Sequence, residues 1–172
     1  MKKCLIACIC LVIISLSCKK SSNSTPAYYL KCSLDGVAKT FNVNAKASNM
    51  NMAGIQSLSV YGNVTSAATM EGLNITVNNS PSPGKKIVAG TYSESQSTDF
   101  VVGAVYNPGS TTVVYGAGVY PGSNPLQIVI TAMDANTIKG TFSGNLYYEN
   151  TSSGTIGPNF KVVTNGEFYL HF

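Results

Sequence analysis

Alternation of apolar and polar side chains in the last third of the chain limits its fold most strongly. In the run from Ile138 to Tyr148, one set of alternate positions is apolar or glycine: Ile138, Gly140, Phe142, Gly144, Leu146 and Tyr148. The positions between them include the polar residues Lys139, Thr141, Ser143 and Asn145. The final run repeats the pattern, with Phe168, Leu170 and Phe172 alternating with Glu167, Tyr169 and His171. A period of two residues places successive side chains on opposite faces of a strand. The pattern therefore predicts a sheet that is covered on one face only.

Short strand-like runs separated by turn residues extend this pattern over the rest of the chain. The runs are Tyr28–Leu34, Val37–Val43, Ile55–Asn63, Gly72–Val77, Lys86–Tyr92, Phe100–Tyr106, Thr111–Val119, Leu126–Met133, Thr137–Tyr148, Asn159–Thr164 and Glu167–Phe172. Asp35-Gly36 favours a two-residue hairpin turn, and Asn165-Gly166 is predicted as another turn. Only Asn44–Met52 approaches helical periodicity, and its Asn and Ser residues make a weak helix. We expect an all-β fold, an antiparallel β-sandwich with a β-barrel as the alternative.

One faint internal repeat is present. Val88-Ala89-Gly90-Thr91-Tyr92-Ser93 is similar to Ile138-Lys139-Gly140-Thr141-Phe142-Ser143. Six residues are too few to indicate a duplication, but glycine in a strand permits close approach of a neighbour, and the aromatic residue two positions later lies on the same face.

The amino terminus has the pattern of an export signal. Met1-Lys2-Lys3 precedes an apolar run from Cys4 to Ser17, which is shorter than the roughly 20 residues that a membrane-spanning helix needs. Ser15-Leu16-Ser17-Cys18 resembles the lipobox of bacterial lipoproteins, which implies cleavage before Cys18 and acylation of that residue. The predicted organisation is a lipoprotein signal peptide at residues 1–17, the lipidated Cys18 with a flexible tether at residues 18–27, and one β-sandwich domain at residues 28–172. An ordinary signal peptide or a short anchor is the alternative.

Several strand and turn motifs follow the lipobox: the hairpin at Leu34-Asp35-Gly36, the strand Gly90-Thr91-Tyr92, and a closing stretch that runs from Leu126 through Ile138–Gly144 to Asn165-Gly166-Glu167-Phe168. Together they resemble small all-β lipoproteins of unknown function from Bacteroidota. The resemblance implies a lipid-anchored protein of the bacterial cell envelope, in the outer membrane, and it supplies no catalytic residue. Some surface-exported lipoproteins of that group carry acidic residues soon after the lipidated cysteine. Residues 19–23 contain none, so the periplasmic face is favoured over the cell surface.

The charge distribution argues against a nucleic-acid partner. The net charge is +4, but four of the 11 lysines lie in the first 20 residues. From Tyr28 onward there are seven lysines and seven acidic residues, which leaves no basic stripe to neutralise phosphates.

Residues able to carry out catalysis or bind metal are sparse. His171 is the sole histidine and is predicted on a polar strand face, while the seven carboxylates fall at turns and strand ends. Cys32 shares an alternating face with Leu30 and Leu34, which predicts a small buried apolar residue. We therefore predict no catalytic residue, no metal site and no cofactor. The alternative is a carbohydrate-active hydrolase whose carboxylates are brought together by the fold.

Tyrosine is the one enriched residue type with a possible binding role, with ten in the chain and no tryptophan. A tyrosine ring offers a flat apolar face and a polar edge, which suits recognition of a sugar or a peptide. The candidate ligand-binding residues are Tyr147, Tyr148, Tyr115 and Tyr120, and the adjacent Tyr147 and Tyr148 must point to opposite sides of their strand. The sequence thus predicts a membrane-anchored, non-catalytic binding or structural module, with a glycan or an envelope protein as its partner.

Overall fold

The computed structural model describes residues 27–66, 70–94, 98–118 and 123–172. These residues form an all-β structure, as predicted. The eleven strands are β1 (Tyr29–Leu34), β2 (Val37–Thr40), β3 (Val43–Met52), β4 (Ile55–Asn63), β5 (Glu71–Asn78), β6 (Gly90–Ser93), β7 (Val101–Pro108), β8 (Val113–Gly116), β9 (Gln127–Met133), β10 (Thr137–Asn150) and β11 (Thr155–His171). Within the described ranges there is no helix with the length and apolar character that crossing a bilayer requires. The predicted signal peptide, Cys18 and Tyr120 lie outside the described residues.

The strands form one curled antiparallel sheet, a half-barrel. Its order is β2-β1-β11-β10-β8-β7-β5-β4-β3, and a branch at β10 adds β9 and then β6. The two edge strands of the main path, β2 and β3, are consecutive in the chain and are joined through Phe41 and Asn42. Phe41 is fully buried, and its N–H donates to the oxygen of Leu30. The two ends of the curled sheet therefore meet at Phe41.

The core fills the concave side, where opposite parts of the sheet face each other as the two layers of a sandwich do. Apolar side chains of β4 and β5 lie across from those of β9, β10 and β11, around a residual cavity of about 10 Å³. The lining residues are Leu58, Val60, Ile75, Val77, Ile128, Ile130, Ile138 and Phe168. Cys32 belongs to the same buried cluster, which confirms its prediction as a buried apolar residue. Burial raises the pKa of its thiol to about 12, against a smaller opposing effect of Lys39.

At two places the local structure differs from the local sequence pattern. Residues 44–52, the segment nearest to helical periodicity, belong to β3, which pairs with β4 through a tight turn at Ala53 and Gly54 with φ values of 51° and 84°. Asn165-Gly166 is not a turn, because β11 continues through it from Thr155 to His171. Asn165 has a φ of 51° and lies where the pairing with β1 and β10 shifts, so the left-handed residue makes a bulge within the strand. The Asp35-Gly36 hairpin is confirmed, with φ values of 51° and 80°.

A reciprocal pairing of aromatic rings with glycines packs β10 against β11. Gly140 lies opposite Phe168, and Phe142 lies opposite Gly166. A Cβ atom at Gly140 would overlap the Phe168 ring, and one at Gly166 would overlap the Phe142 ring. The two rings stack with centroids 6.4 Å apart. Glycine therefore provides the space into which the ring on the neighbouring strand folds.

Candidate functional site

The structure brings together two of the predicted tyrosines and separates a third. Tyr115 on β8 and Tyr148 on β10 are paired in register, with ring centroids 6.1 Å apart and both side chains half-buried. Tyr147 instead contacts Phe160, with centroids 5.5 Å apart, and its hydroxyl donates to the oxygen of Ser123. The side chain of Tyr147 is thereby buried against a loop, and Tyr147 and Tyr148 make separate sets of contacts, as expected for opposite faces of one strand.

Tyr115 and Tyr148 continue a line of four aromatic residues along the concave side, here called the aromatic row: Phe41, Tyr106, Tyr115 and Tyr148. Successive ring centroids are 6.3, 6.2 and 6.1 Å apart. The first two residues are buried, while the last two reach the surface. The row thus extends from the closing point of the sheet to solvent.

Charged groups at the buried end of the aromatic row hold one another in place. The Tyr106 hydroxyl donates to Glu71 Oε1 at 2.7 Å, and Lys39 Nζ lies 2.9 Å from the same oxygen. Burial opposes ionisation of Glu71, but the hydrogen bonds from Tyr106 and Lys39 outweigh it and lower the pKa of that carboxyl. Burial and the Glu71 carboxylate raise the pKa of the Tyr106 hydroxyl. The group is an ionised carboxylate with two satisfied donors, which suits a structural role.

An ion pair flanks the exposed end of the row. Lys161 Nζ lies 2.7 Å from Asp35 Oδ2 and 5.5 Å from the centroid of the Tyr115 ring. Asp35 also accepts the Val162 N–H at 2.9 Å. The hydrogen bonds from Lys161 and Val162 lower the pKa of Asp35, and the hydrogen bond to Asp35 raises that of Lys161. Lys161 therefore remains a cation that is already paired.

Carboxylates elsewhere are engaged in separate structural contacts. Glu94 accepts the N–H groups of Gly118 and Leu126, and Asp134 accepts those of Asn136 and Thr137. Asp99 pairs with Lys85, and Glu167 pairs with Lys31. His171 is exposed at the end of β11, and its Nδ1 contacts the oxygen of Phe172. No group of three or more His, Cys, Asp or Glu side chains able to hold a metal occurs in the part of the chain that the structure describes.

A large cavity on the outside of the sheet was not predicted from the sequence. This outer groove has a volume of about 700 Å³ and crosses β4, β5 and β7. Its lining is Tyr61, Gly62, Asn63, Met70, Gly72, Leu73, Asn74, Val105 and Asn107. Two transverse rows of paired residues form it, Tyr61–Asn74–Val105 and Asn63–Gly72–Asn107.

The missing side chain of Gly72 shapes the outer groove. A Cβ atom at Gly72 would overlap Asn63 Oδ1, so glycine leaves space for the Asn63 carboxamide. On the rim, Lys46 Nζ lies 5.4 Å from the centroid of the Tyr61 ring, over one of its faces. The signal available in the sequence was the outward register of Tyr61, Asn63 and Asn74, but nothing local in the sequence marks it as a groove rather than an ordinary polar face.

Comparison with protein-family models, with curated proteins and with solved structures finds no match to this chain.

Proposed function

We propose that this protein is a lipoprotein of the bacterial cell envelope, anchored in the outer membrane through acyl chains on Cys18, and that its curled sheet is a non-catalytic binding module. The sheet faces the periplasm in this proposal, and its partner is a glycan or an envelope protein. The anchor rests on the lipobox-like Ser15–Cys18, since several acyl chains together give stable membrane attachment where one chain gives marginal binding.

The observation that carries the binding function is the chemistry of the outer groove. A volume of about 700 Å³ falls within the roughly 300–1,000 Å³ typical of ligand sites. The described residues that line it supply carboxamides, a phenol and apolar surface, without a carboxylate, imidazole, amine or thiol. Such a lining can hold a ligand, but it lacks the pair of carboxylates that a glycoside hydrolase uses as acid and base or nucleophile.

The alternative hydrolase receives less support from the positions of the acids. The smaller hollows on the outside of β9, β10 and β11 and of β1 and β2 contain a single carboxylate, Glu167, among their described lining residues. Glu167 is paired with Lys31 at 3.1 Å. One carboxylate among the described lining residues does not make the pair of acids that a glycoside hydrolase uses.

The anchor is tested by intact-protein mass spectrometry and membrane fractionation of the wild type and the Cys18→Ala variant. We expect a membrane-bound form that begins at Cys18 and carries acyl mass, and we expect Cys18→Ala to abolish both the added mass and the membrane attachment. A secreted wild-type form without lipid would contradict the anchor.

The binding module is tested in cells with a photo-crosslinking amino acid placed at Lys46, an exposed position on the rim of the outer groove, or at Asn51, an exposed position elsewhere on β3. We expect defined adducts with an envelope polymer or protein from position 46 and not from position 51. Release of new reducing ends from a saccharide by the purified full chain, with loss of that activity in a carboxylate variant, would contradict the non-catalytic proposal.

A further inference from the structure

The carboxamides of Asn63 and Asn74 are polar groups of the outer groove that are available to a ligand. Asn63 is half-buried and Asn74 exposed, and neither side chain has a hydrogen-bond partner in the described part of the chain. Asn107 differs, because its Oδ1 accepts the N–H groups of Gly109 and Ser110. A carboxamide offers two donors and an acceptor. Asn63 and Asn74 can therefore bond hydroxyl groups, which both donate and accept.

Apolar surface lies beside these carboxamides on the same face of the sheet. Val105, directly opposite Asn74 in register, keeps 45% of its surface exposed. Met70 is also exposed, and the Tyr61 ring lies at the other end of the row formed with Asn74 and Val105. The face thus alternates hydrogen-bonding groups with flat or aliphatic surface at strand spacing, about 4.8 Å.

The described residues that line the groove are uncharged. The amine of Lys46 lies on the rim, over the Tyr61 ring, and not in the lining. A phosphate or carboxylate bound among the lining residues would lose hydration without gaining an ion pair inside the groove.

From these three properties we propose that the outer groove binds a neutral oligosaccharide. The C–H faces of pyranose rings pack on Tyr61, Val105 and Met70, and ring hydroxyls bond Asn63 and Asn74. Gly72 is the residue that sets the shape of the site, because it leaves room for the Asn63 carboxamide. This inference rests on the proposed binding function and names its site and its ligand class.

The test is isothermal titration calorimetry of the full chain in detergent with neutral hexasaccharides: α-1,4- and β-1,4-linked glucose, β-1,4-linked mannose, xylose and N-acetylglucosamine. Polygalacturonate serves as the acidic comparison. We expect at least one neutral hexasaccharide to bind, and Tyr61→Ala to weaken it at least about tenfold. Asn63→Ala and Asn74→Ala should each weaken it by about two- to tenfold, the effect of losing one or two hydrogen bonds.

Matched variants separate the site from the fold. Tyr29 has a lysine over its ring as Tyr61 does, with Lys31 Nζ at 5.0 Å, so Tyr29→Ala removes an equivalent ring elsewhere. Asn51→Ala removes an exposed carboxamide outside the groove. Both should leave the affinity unchanged. Gly72→Ala adds only a methyl group, which displaces the Asn63 carboxamide, and should weaken binding at least about threefold with no ligand-contacting group removed. Thermal unfolding of every variant shows whether it is folded.

The outcomes distinguish the inference from the proposed function. Loss of binding in the groove variants with retention in the controls supports the neutral-saccharide site. Loss in Tyr115→Ala, with no effect of the groove variants, overturns the site and leaves the binding function standing. Binding of none of the neutral hexasaccharides, or of polygalacturonate alone with loss in Lys46→Gln, overturns the ligand class. In that case the crosslinks from position 46 still decide the proposed function independently.

Discussion

The two copies of the Gly-Thr-aromatic-Ser motif flank the same strand in the same register, and yet they have different surroundings. Gly90 and Gly140 both lie opposite Ile130 of β9, and Tyr92 and Phe142 both lie opposite Ile128. The copy in β10 has β11 on its other side, whereas β6 pairs with β9 alone among the described strands.

The environments of the two glycines show the consequence. A Cβ atom at Gly140 would overlap the Val129 oxygen and the Phe168 ring, whereas one at Gly90 would find only the edge of the Tyr92 ring at 4.0 Å. The aromatic residues are nearly equally buried, at 5% for Tyr92 and 4% for Phe142. Similar local sequences therefore give the same pairing with β9. At Gly140 the Val129 oxygen of β9 and the Phe168 ring of β11 both exclude a side chain, and at Gly90 neither does.

Truncation of Phe142 is the most severe test of the motif copy in β10, called the central copy because β9 and β11 flank it. Phe142→Ala should lower the free energy of unfolding by about 3–5 kcal/mol, because the ring is buried and the opposing Gly166 has no side chain to fill the space. Urea denaturation followed by circular dichroism measures the effect. A loss below about 1 kcal/mol would show that β10 and β11 are not held by this ring.

The glycine pair gives the sharpest test of the comparison. Gly140→Ala should cost about 1–3 kcal/mol through overpacking, whereas Gly90→Ala should change stability by no more than about 0.5 kcal/mol. The same denaturation experiment compares the two variants directly. Equal effects would contradict the assignment of β6 to an edge and β10 to the interior of the sheet.

In β6, which pairs with β9 alone among the described strands, the Tyr92 hydroxyl makes hydrogen bonds to the backbone of the segment that precedes the strand. Tyr92 Oη accepts the Val88 N–H at 2.9 Å and donates to the Val88 oxygen at 2.7 Å. Tyr92→Phe should therefore lower the free energy of unfolding by about 1 kcal/mol and increase hydrogen exchange at Val88. Unchanged exchange protection at that amide would show that the hydroxyl does not hold the segment.

The smallest effect concerns the turn that leads into the central copy. Asp134 accepts the backbone N–H groups of Asn136 and Thr137, and these hydrogen bonds hold the pKa of its carboxyl below its usual 3.8. A lowered pKa in the folded state means that the carboxylate stabilises the protein above about pH 4 and that this contribution is lost as the pH falls through the folded value.

Unfolding experiments from pH 7 to pH 3 with the wild type and Asp134→Asn measure that contribution. We expect the free energy of unfolding of the wild type to exceed that of Asp134→Asn near neutral pH, and we expect this difference to shrink below about pH 4. The lowered pKa values of Asp35, Glu71 and Asp99 remain in both chains and therefore cancel in the difference. A difference that grows as the solution becomes more acidic would contradict the role of the Asp134 carboxylate.

Sequence patterns that act over a few residues were informative, and those that depend on distant strands were not. The Asp35-Gly36 hairpin and the buried Cys32 follow from neighbours along the chain. The nature of Asn165-Gly166 does not, because the same dipeptide that favours a turn becomes a bulge when β1 and β10 pair on both sides of it. The segment 44–52 is likewise a strand because β4 folds back on it.

The candidate site shows the same division. Alternation along β10 predicts that Tyr147 and Tyr148 make different contacts. In the structure the Tyr147 hydroxyl donates to the oxygen of Ser123, whereas the Tyr148 ring contacts the Tyr115 ring. The outer groove draws on β4, β5 and β7, so its residues are separated by up to 46 positions, from Tyr61 to Asn107. No local pattern joins them, and only the pairing of the strands does.

By itself, the sequence determined the all-β class, because strand alternation and turn chemistry are properties of adjacent residues. The division into a signal peptide, a lipidated Cys18, a tether and one domain stays a prediction from the same kind of local pattern. Only the tertiary structure decided that the sheet curls until β2 and β3 meet at Phe41, and that Gly72 shapes a groove beneath Asn63. Those features arise from strand pairs and side chains far apart in the chain, whose positions are fixed when the core is buried.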